Sequence, residues 1–318
     1  MIRPVAQLAP TDAPARKAVD APAVFKGLLS SLRPRQWIKN GFVFGGVVFA
    51  QRLLTPSCWV AIEVFAMFCA LSSAAYLIND VADRERDRLH PLKRYRPIAS
   101  GLIQIPFALT LAGSLLVATL GAAAVVSLPL LLVALAYAAL QVAYSTWLKH
   151  IVIIDVLAMA TGFVLRAVGG AVAINVEISG WLLICTLLIA LFLALGKRRH
   201  EHRSLDGDAA RHRSTLMEYS PALLDQMISV VTASTITSYA LYTMAPETVA
   251  KFQTHLLPLT LPFVLYGVFR YLYLLYRRDL GGSPSDLVLA DRPLLLNAVA
   301  WAVLVMAIIY ARELAVWR

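Results

Sequence analysis

Long apolar runs separated by short polar stretches set the rhythm of this chain. Crossing roughly 30 Å of hydrocarbon takes about 20 apolar residues. Runs near that length occur at 58–80, 105–126, 128–147, 151–173, 180–196, 222–244, 256–276 and 293–315. A shorter run, Gly41 to Leu54, follows Arg33-Pro34-Arg35-Gln36-Trp37-Ile38-Lys39-Asn40, whose tryptophan and cations suit a membrane interface. Counted as the first span, it brings the total to nine. None of the runs alternates as a strand would, and backbone in lipid must satisfy its own hydrogen bonds. The pattern therefore predicts an all-α integral membrane protein, a bundle of nine transmembrane helices. Very short turns around Ser127-Leu128-Pro129 and Lys149-His150 predict helical hairpins there. Residues 1–28, rich in Ala and Pro and without an apolar run, are expected to form a flexible cytoplasmic tail, and 29–318 a single transmembrane domain.

Composition agrees with that picture. Of 318 residues, 59% are hydrophobic and 15% charged, against about 25% charged in soluble domains. Cys58, Cys69 and Cys185 lie scattered in apolar stretches, with neither metal-ligand spacing nor a pairing pattern. The net charge of +10 follows topology. With the amino terminus inside, the outer segments carry only Arg52, Lys251, Arg312 and Arg318 of the 29 Lys and Arg, and Arg166 sits within a span. The positive-inside rule thus places the amino terminus in the cytoplasm of a multi-pass plasma-membrane protein, with the carboxyl terminus outside. The charge then requires no nucleic-acid partner.

One polar stretch breaks the pattern. The second span runs into Asn79-Asp80-Val81-Ala82-Asp83-Arg84-Glu85-Arg86-Asp87. On a continuous helix Asp80, Asp83 and Asp87 fall at i, i+3 and i+7, so three like charges share one face beside Asn79. Such a stripe at the edge of a low-dielectric bundle is best explained by a cation. An all-oxygen set suits magnesium bridging to phosphate. The loop continues through Lys93, Arg94 and Arg96, cations within reach of phosphate oxygens. The bland account is a solvated loop in which Arg84, Arg86 and Arg88 neutralise the acids. Charges at a helix mouth in membrane proteins are more often functional. Arg166, in mid-span, needs a partner, since an unpaired arginine there costs at least about 3 kcal/mol. Asp155 lies three turns earlier on the same face, giving either a polar seam toward a cavity or, with Glu63 as partner, an internal ion pair. Gly162, Gly169 and Gly170 suit close helix packing.

At these residues the sequence resembles the UbiA superfamily of intramembrane prenyltransferases. The resemblance rests on Asn-Asp-x-x-Asp-x-x-x-Asp from Asn79 to Asp87, followed by Lys93-Arg94-Tyr95-Arg96-Pro97-Ile98-Ala99-Ser100-Gly101, and spans residues 33 to about 315. The stretch 33–40, Tyr144-Ser145 with Lys149, and Asp155 through Arg166 to Gly170 resemble the decaprenyl-phosphate phosphoribosyltransferase branch, which makes a lipid-linked pentose precursor for cell-wall polysaccharide. Members of the superfamily carry a second aspartate-rich motif after the sixth span. Here that loop reads Gly196-Lys197-Arg198-Arg199-His200-Glu201-His202-Arg203-Ser204-Leu205-Asp206-Gly207-Asp208, mostly basic.

The resemblance implies a transferase, with phosphoribosyl diphosphate and a polyprenyl phosphate as substrates and Mg2+ as cofactor. It implies a metal set of Asn79, Asp80, Asp83 and Asp87, with Asp80, Asp83, Asp87 and Lys93 catalytic. It also implies substrate contacts at Lys39, Asn79, Arg94, Arg96, Tyr144, Lys149, Asp155, Arg166, Lys197, Arg198 and Glu201. Two rivals stay open: prenyl transfer to an aromatic acceptor, supported if Asp206 and Asp208 bind a second magnesium, and a transporter in which the acids form an ion site. The absence of an evident inverted repeat counts against the transporter. Prenyl length and oligomeric state are not legible.

Overall fold

A computed structural model describes residues 21–91, 93–204, 214–278 and 280–316, and no strand occurs among them. Asp206 and Asp208 lie outside the described residues, as do residues 1–20. The helix α1 spans Ala21–Leu32, so residues 21–28 join the folded domain instead of the expected tail. Leu28 and Leu32, at i and i+4, explain this, because they pack on Leu77, Ile98 and Ile103.

The expected first span is not a membrane-length helix. A 3-10 segment, Pro34–Val43, leads into the six-residue helix α2, Phe44–Phe49. Proline and three glycines make a long helix costly there, and the glycines serve a close crossing. A Cβ on Gly46 would lie 2.8 Å from the backbone of Ala171, and one on Gly170 only 1.9 Å from the carbonyl oxygen of Val43. This lead-in segment is thus seated, backbone to backbone, against α7, Ile154–Ala173.

Seven described helices are long and apolar enough to cross a bilayer: α3 (Ser57–Ala82), α5 (Ile105–Val126), α6 (Leu128–Thr146), α7, and the segments Gly180–Arg203, Leu257–Arg277 and Arg292–Ala311. The last three belong to α8 (Gly180–Ser204), α12 (Leu261–Arg277) and α14 (Arg292–Val316). By length and composition the described helices come close to the expected nine spans without confirming that count. Besides the broken first span, α10 (Pro221–Met244) has the length but interleaves Asp225, Gln226 and a series of Ser and Thr with its apolar residues. The short helices α4 (Arg84–Leu89), α9 (Ser214–Glu218), α11 (Pro246–Phe252) and α13 (Pro284–Ala290) complete the order.

The expected hairpins are present. Only Ser127 separates α5 from α6, and its hydroxyl caps α6 by accepting from the Leu130 amide at 3.2 Å. A 3-10 turn, Leu148–His150, links α6 to α7. Two cores form. One joins the lead-in segment, α3, α5 and α6 around Val43, Phe68, Leu130 and Tyr137, with the Phe68 and Tyr137 rings edge to face at 5.2 Å. The other joins α7, α8, α10, α12, α13 and α14 around Phe192, Leu224, Ile228 and Tyr271. Helix α7 stands between them, touching α3, α6, α8 and the lead-in segment. The antiparallel connections bring the end of α3, the end of α6, the start of α7 and the end of α8 to one mouth of the bundle.

Candidate active site

The α3 helix stops at Ala82. Asp83 caps it with a backbone near φ −89°, ψ 3°, and α4 starts anew at Arg84. The motif is thus not on the one continuous helix expected, because Asp83 separates α3 from α4, which carries Asp87. Asp80 and Asp87 are each 3% exposed, and buried carboxylates demand compensation.

They receive it from arginines. Asp80 Oδ1 accepts from Arg33 Nη2 at 2.5 Å and from Arg96 Nη1 at 3.1 Å. The same Arg96 nitrogen donates to Asp87 Oδ2 at 2.7 Å. Asp83 accepts from Asn79 Nδ2 at 2.9 Å and lies 3.6 Å from Lys149 Nζ. Each aspartate of the motif is therefore braced by a cation from a different segment. Arg33 is the partner that sequence reasoning missed. It follows α1 in a left-handed backbone conformation, φ 54°, ψ 59°, and stacks on the Tyr76 ring at 4.6 Å. The Arg-Pro pair at 33–34 was the available signal, since proline disfavours helix at the residue before it.

Not every expected cation joins this cluster. Arg94 turns to Tyr95, donating to its hydroxyl at 2.6 Å, and Lys93 lies exposed at the rim. Lys39 projects half-buried from the lead-in segment. Burial, and then the positive charges of Lys197, Arg166 and Arg33, lower its pKa to about 7, while Asp286 opposes them.

A second polar network stands where α7 and α8 meet. Arg198, fully buried, donates from Nε to Asp155 Oδ2 at 2.6 Å, from Nη2 to the Tyr144 hydroxyl at 3.1 Å, and from Nη1 to Glu201. Asp155 is 0% exposed, and its other oxygen accepts from the Tyr219 hydroxyl at 2.7 Å. With both oxygens engaged inside protein, Asp155 orients Arg198. It has no free face for a substrate in this arrangement. Lys197 Nζ lies 3.6 Å from Glu201 at the same helix end.

Arg166 is buried too. Its partners are neutral: Asn40 Oδ1 at 2.6 Å, the Gly162 carbonyl at 2.7 Å and the Tyr137 hydroxyl at 2.7 Å. Its guanidinium lies over the Tyr137 and Phe163 rings. It pairs with neither Glu63 nor Asp155, so the expected shared seam resolves into two separate networks. Asn40 in turn contacts Cys69 and Ser72, locking the lead-in segment to α3. An apolar groove of about 610 Å³ between α10 and α12, lined by Ile228, Thr232, Phe269 and Tyr276, lies apart from these polar groups.

The donors around Asp80 suit a hard cation. Two buried carboxylate oxygens, from Asp80 and Asp87, converge on one positive centre, here the Arg96 nitrogen, while Asp83 faces Asn79 and Lys149. Magnesium is commonly held by one or two carboxylates together with substrate phosphates, so the residues present fit that ion. Among the described residues no cage of three or more His, Cys, Asp or Glu side chains forms.

Residues 41–287 match the UbiA prenyltransferase family. The chain belongs to that family. Similar proteins include a decaprenyl-phosphate phosphoribosyltransferase of Corynebacterium glutamicum, 33% identical over 298 residues, covering 89% of this chain and 87% of the relative. One of the same name from Mycolicibacterium smegmatis is 32% identical, covering 89% and 92%. The fold resembles a UbiA homolog from Archaeoglobus fulgidus bound to GPP and Mg2+, with TM-score 0.69 and 19% identity, over 89% of this chain and 99% of the other. This UbiA-family chain is thus an integral membrane transferase.

Proposed function

We propose that this UbiA-family protein transfers the 5-phosphoribosyl group of phosphoribosyl diphosphate to a polyprenyl phosphate such as decaprenyl phosphate, releasing pyrophosphate. The site would face the cytoplasm from the plasma membrane, as would the amino terminus. The observation that carries the reading is similarity to two proteins of that name along nearly the whole chain. The cation-rich end of α8, with Arg198 fixed by Asp155, supports it, because two phosphorylated substrates bring more negative charge than a prenyl diphosphate with a neutral acceptor.

Asp80 and Asp87, with Asn79 and Asp83 beside them, would hold magnesium, which when bound supplies neutralisation of the charge that grows on a departing diphosphate. The chain's own cations do the rest. Arg96 and Lys93 orient the diphosphate at the α3 mouth, while Lys39 and Lys197 draw the lipid phosphate from the α8 side and the buried Arg198, held by Asp155, Tyr144 and Glu201, positions that helix end. A lipid phosphate oxygen attacks C1 of the ribose, and the bond from C1 to the diphosphate oxygen breaks with its electron pair leaving on pyrophosphate. The nucleophile is already anionic near neutral pH, so no strong general base is required.

The test incubates membranes containing the protein with radiolabelled phosphoribosyl diphosphate, Mg2+ and polyprenyl phosphate. Label should enter the lipid phase, and an Asp83→Ala variant, inserted normally, should leave it in the aqueous phase. Label absent from lipid, with labelled prenyl diphosphate alkylating an aromatic acceptor instead, would establish prenyl transfer.

A further inference from the structure

Arg96 occupies the place that the metal reading assigns to a cation. One nitrogen, Nη1, contacts both Asp80 Oδ1 and Asp87 Oδ2, at 3.1 and 2.7 Å. Among the described residues the Arg96 side chain has no other hydrogen-bond or ion-pair partner than these two acids, whereas Arg33, the second cation on Asp80, is also seated on the Tyr76 ring. Arg96 lies on the irregular stretch between the 3-10 turn Lys93–Tyr95 and α5, and its side chain keeps 29% of its surface open. The two acids are almost sealed. Of the two cations on Asp80, Arg96 is therefore the one free to leave.

We infer that Arg96 is an exchangeable counter-cation: it neutralises Asp80 and Asp87 until a divalent cation arrives with a diphosphate, then moves its guanidinium onto the phosphate oxygens. The inference rests on the reading of Asp80 and Asp87 as metal ligands and adds an order to it. A divalent cation alone must strip Arg96 from two buried carboxylates and leave the guanidinium with no acceptor. A diphosphate alone finds Arg96 already committed. Together each removes the other's obstacle, so the two bind with positive coupling, which is reciprocal by necessity. The device also keeps two buried carboxylates from standing uncompensated between turnovers.

The experiment titrates Mn2+ by electron paramagnetic resonance into the full-length protein in detergent, with and without pyrophosphate. Wild type, Arg96→Gln, Arg96→Lys and Arg84→Gln are compared. Arg84 carries the same charge one turn from Asp80 but pairs with Glu85 at 3.2 Å, so it reports what charge removal alone does. Wild type should bind Mn2+ at least about tenfold more tightly with pyrophosphate than without it. Arg96→Gln should gain about tenfold for Mn2+ alone, and its gain from pyrophosphate should shrink. Arg84→Gln should do neither. Arg96→Lys, which keeps the charge but loses the fork, should fall between wild type and Gln. It decides the matter if the Gln variant does not fold. Equal gains in the Arg84 and Arg96 variants, or no gain in either Arg96 variant, would overturn the exchange while leaving the metal site standing. A wild type that binds no Mn2+ even with pyrophosphate would remove the metal reading and the exchange with it.

Discussion

Arg198 and Asp155 meet at 2.6 Å with both side chains closed to solvent, joining α8 to the first turn of α7. Removing one member of a buried pair strands the other, at a cost of about 3–5 kcal/mol. Asp155→Ala should therefore lower the melting temperature of the detergent-solubilised protein sharply. Asp155→Asn, which keeps an acceptor for Tyr219, should lower it less. Equal melting of the Ala variant and wild type would show that the pair does not brace the two helices.

The carboxylates of the α3 motif should matter in the opposite way, to turnover more than to folding. Asp80→Asn retains shape and a hydrogen-bond acceptor for Arg33 but discards the charge. Pyrophosphate release should fall by at least about 100-fold, with insertion retained and melting lowered less than in Asp155→Ala, because Arg33 and Arg96 are partly open to solvent. A variant with near wild-type release at saturating Mg2+ would take Asp80 out of the metal set.

Lys39 gives a pH prediction whose sign can be worked out. Its folded pKa, lowered to about 7 by burial and by neighbouring cations, lies below the ordinary lysine value. Between those two values the unfolded chain holds more protons than the folded one. Its destabilising contribution is therefore full below about pH 7 and relieved as pH rises. A bound anion favours the charged amine, so binding above pH 7 takes up a proton and weakens by up to about tenfold per pH unit. Polyprenyl phosphate affinity measured at pH 7, 8 and 9 should fall more steeply in wild type than in Lys39→Arg, which stays protonated throughout. Parallel slopes would remove Lys39 from the anion site.

Two glycines make a matched pair of stability tests. At Gly170 a new Cβ would strike the Val43 carbonyl, whereas at Gly113 nothing lies within 4 Å. Gly170→Ala should cost about 1–3 kcal/mol or more and impair activity by dislodging the segment that carries Lys39 and Asn40. Gly113→Ala, in the interior of α5, should raise helix stability by up to about 1 kcal/mol. Thermal melts of the two variants side by side check both.

Sequence patterning reached the all-helical class, the hairpins and the stretch holding the acids, because those depend on local periodicity and turn chemistry. It went wrong where tertiary contact decides. The run 41–54 has the hydropathy of a span, but backbone contact between Val43 and Gly170 holds it as a 3-10 segment and a short helix. The break at Asp83 is invisible to a spacing argument that assumes a continuing helix. Residues far apart in sequence also find each other, as Arg33 finds Asp80 and Tyr219 finds Asp155. No window along the chain contains both members of such a pair.

The bracing of Asp80, Asp83 and Asp87 by Arg33, Lys149 and Arg96 bears on how the protein is made. Arg33 precedes the acids along the chain, Arg96 follows within the same loop, and Lys149 emerges only after α5 and α6 have been synthesised. As the nascent chain enters the bilayer, Asp83 is the last of the three to gain its partner. The motif reaches its resting charge balance only once the first hairpin has folded back beside α3. A chain truncated ahead of Lys149 would still carry every aspartate and yet present a site with one acid unmatched.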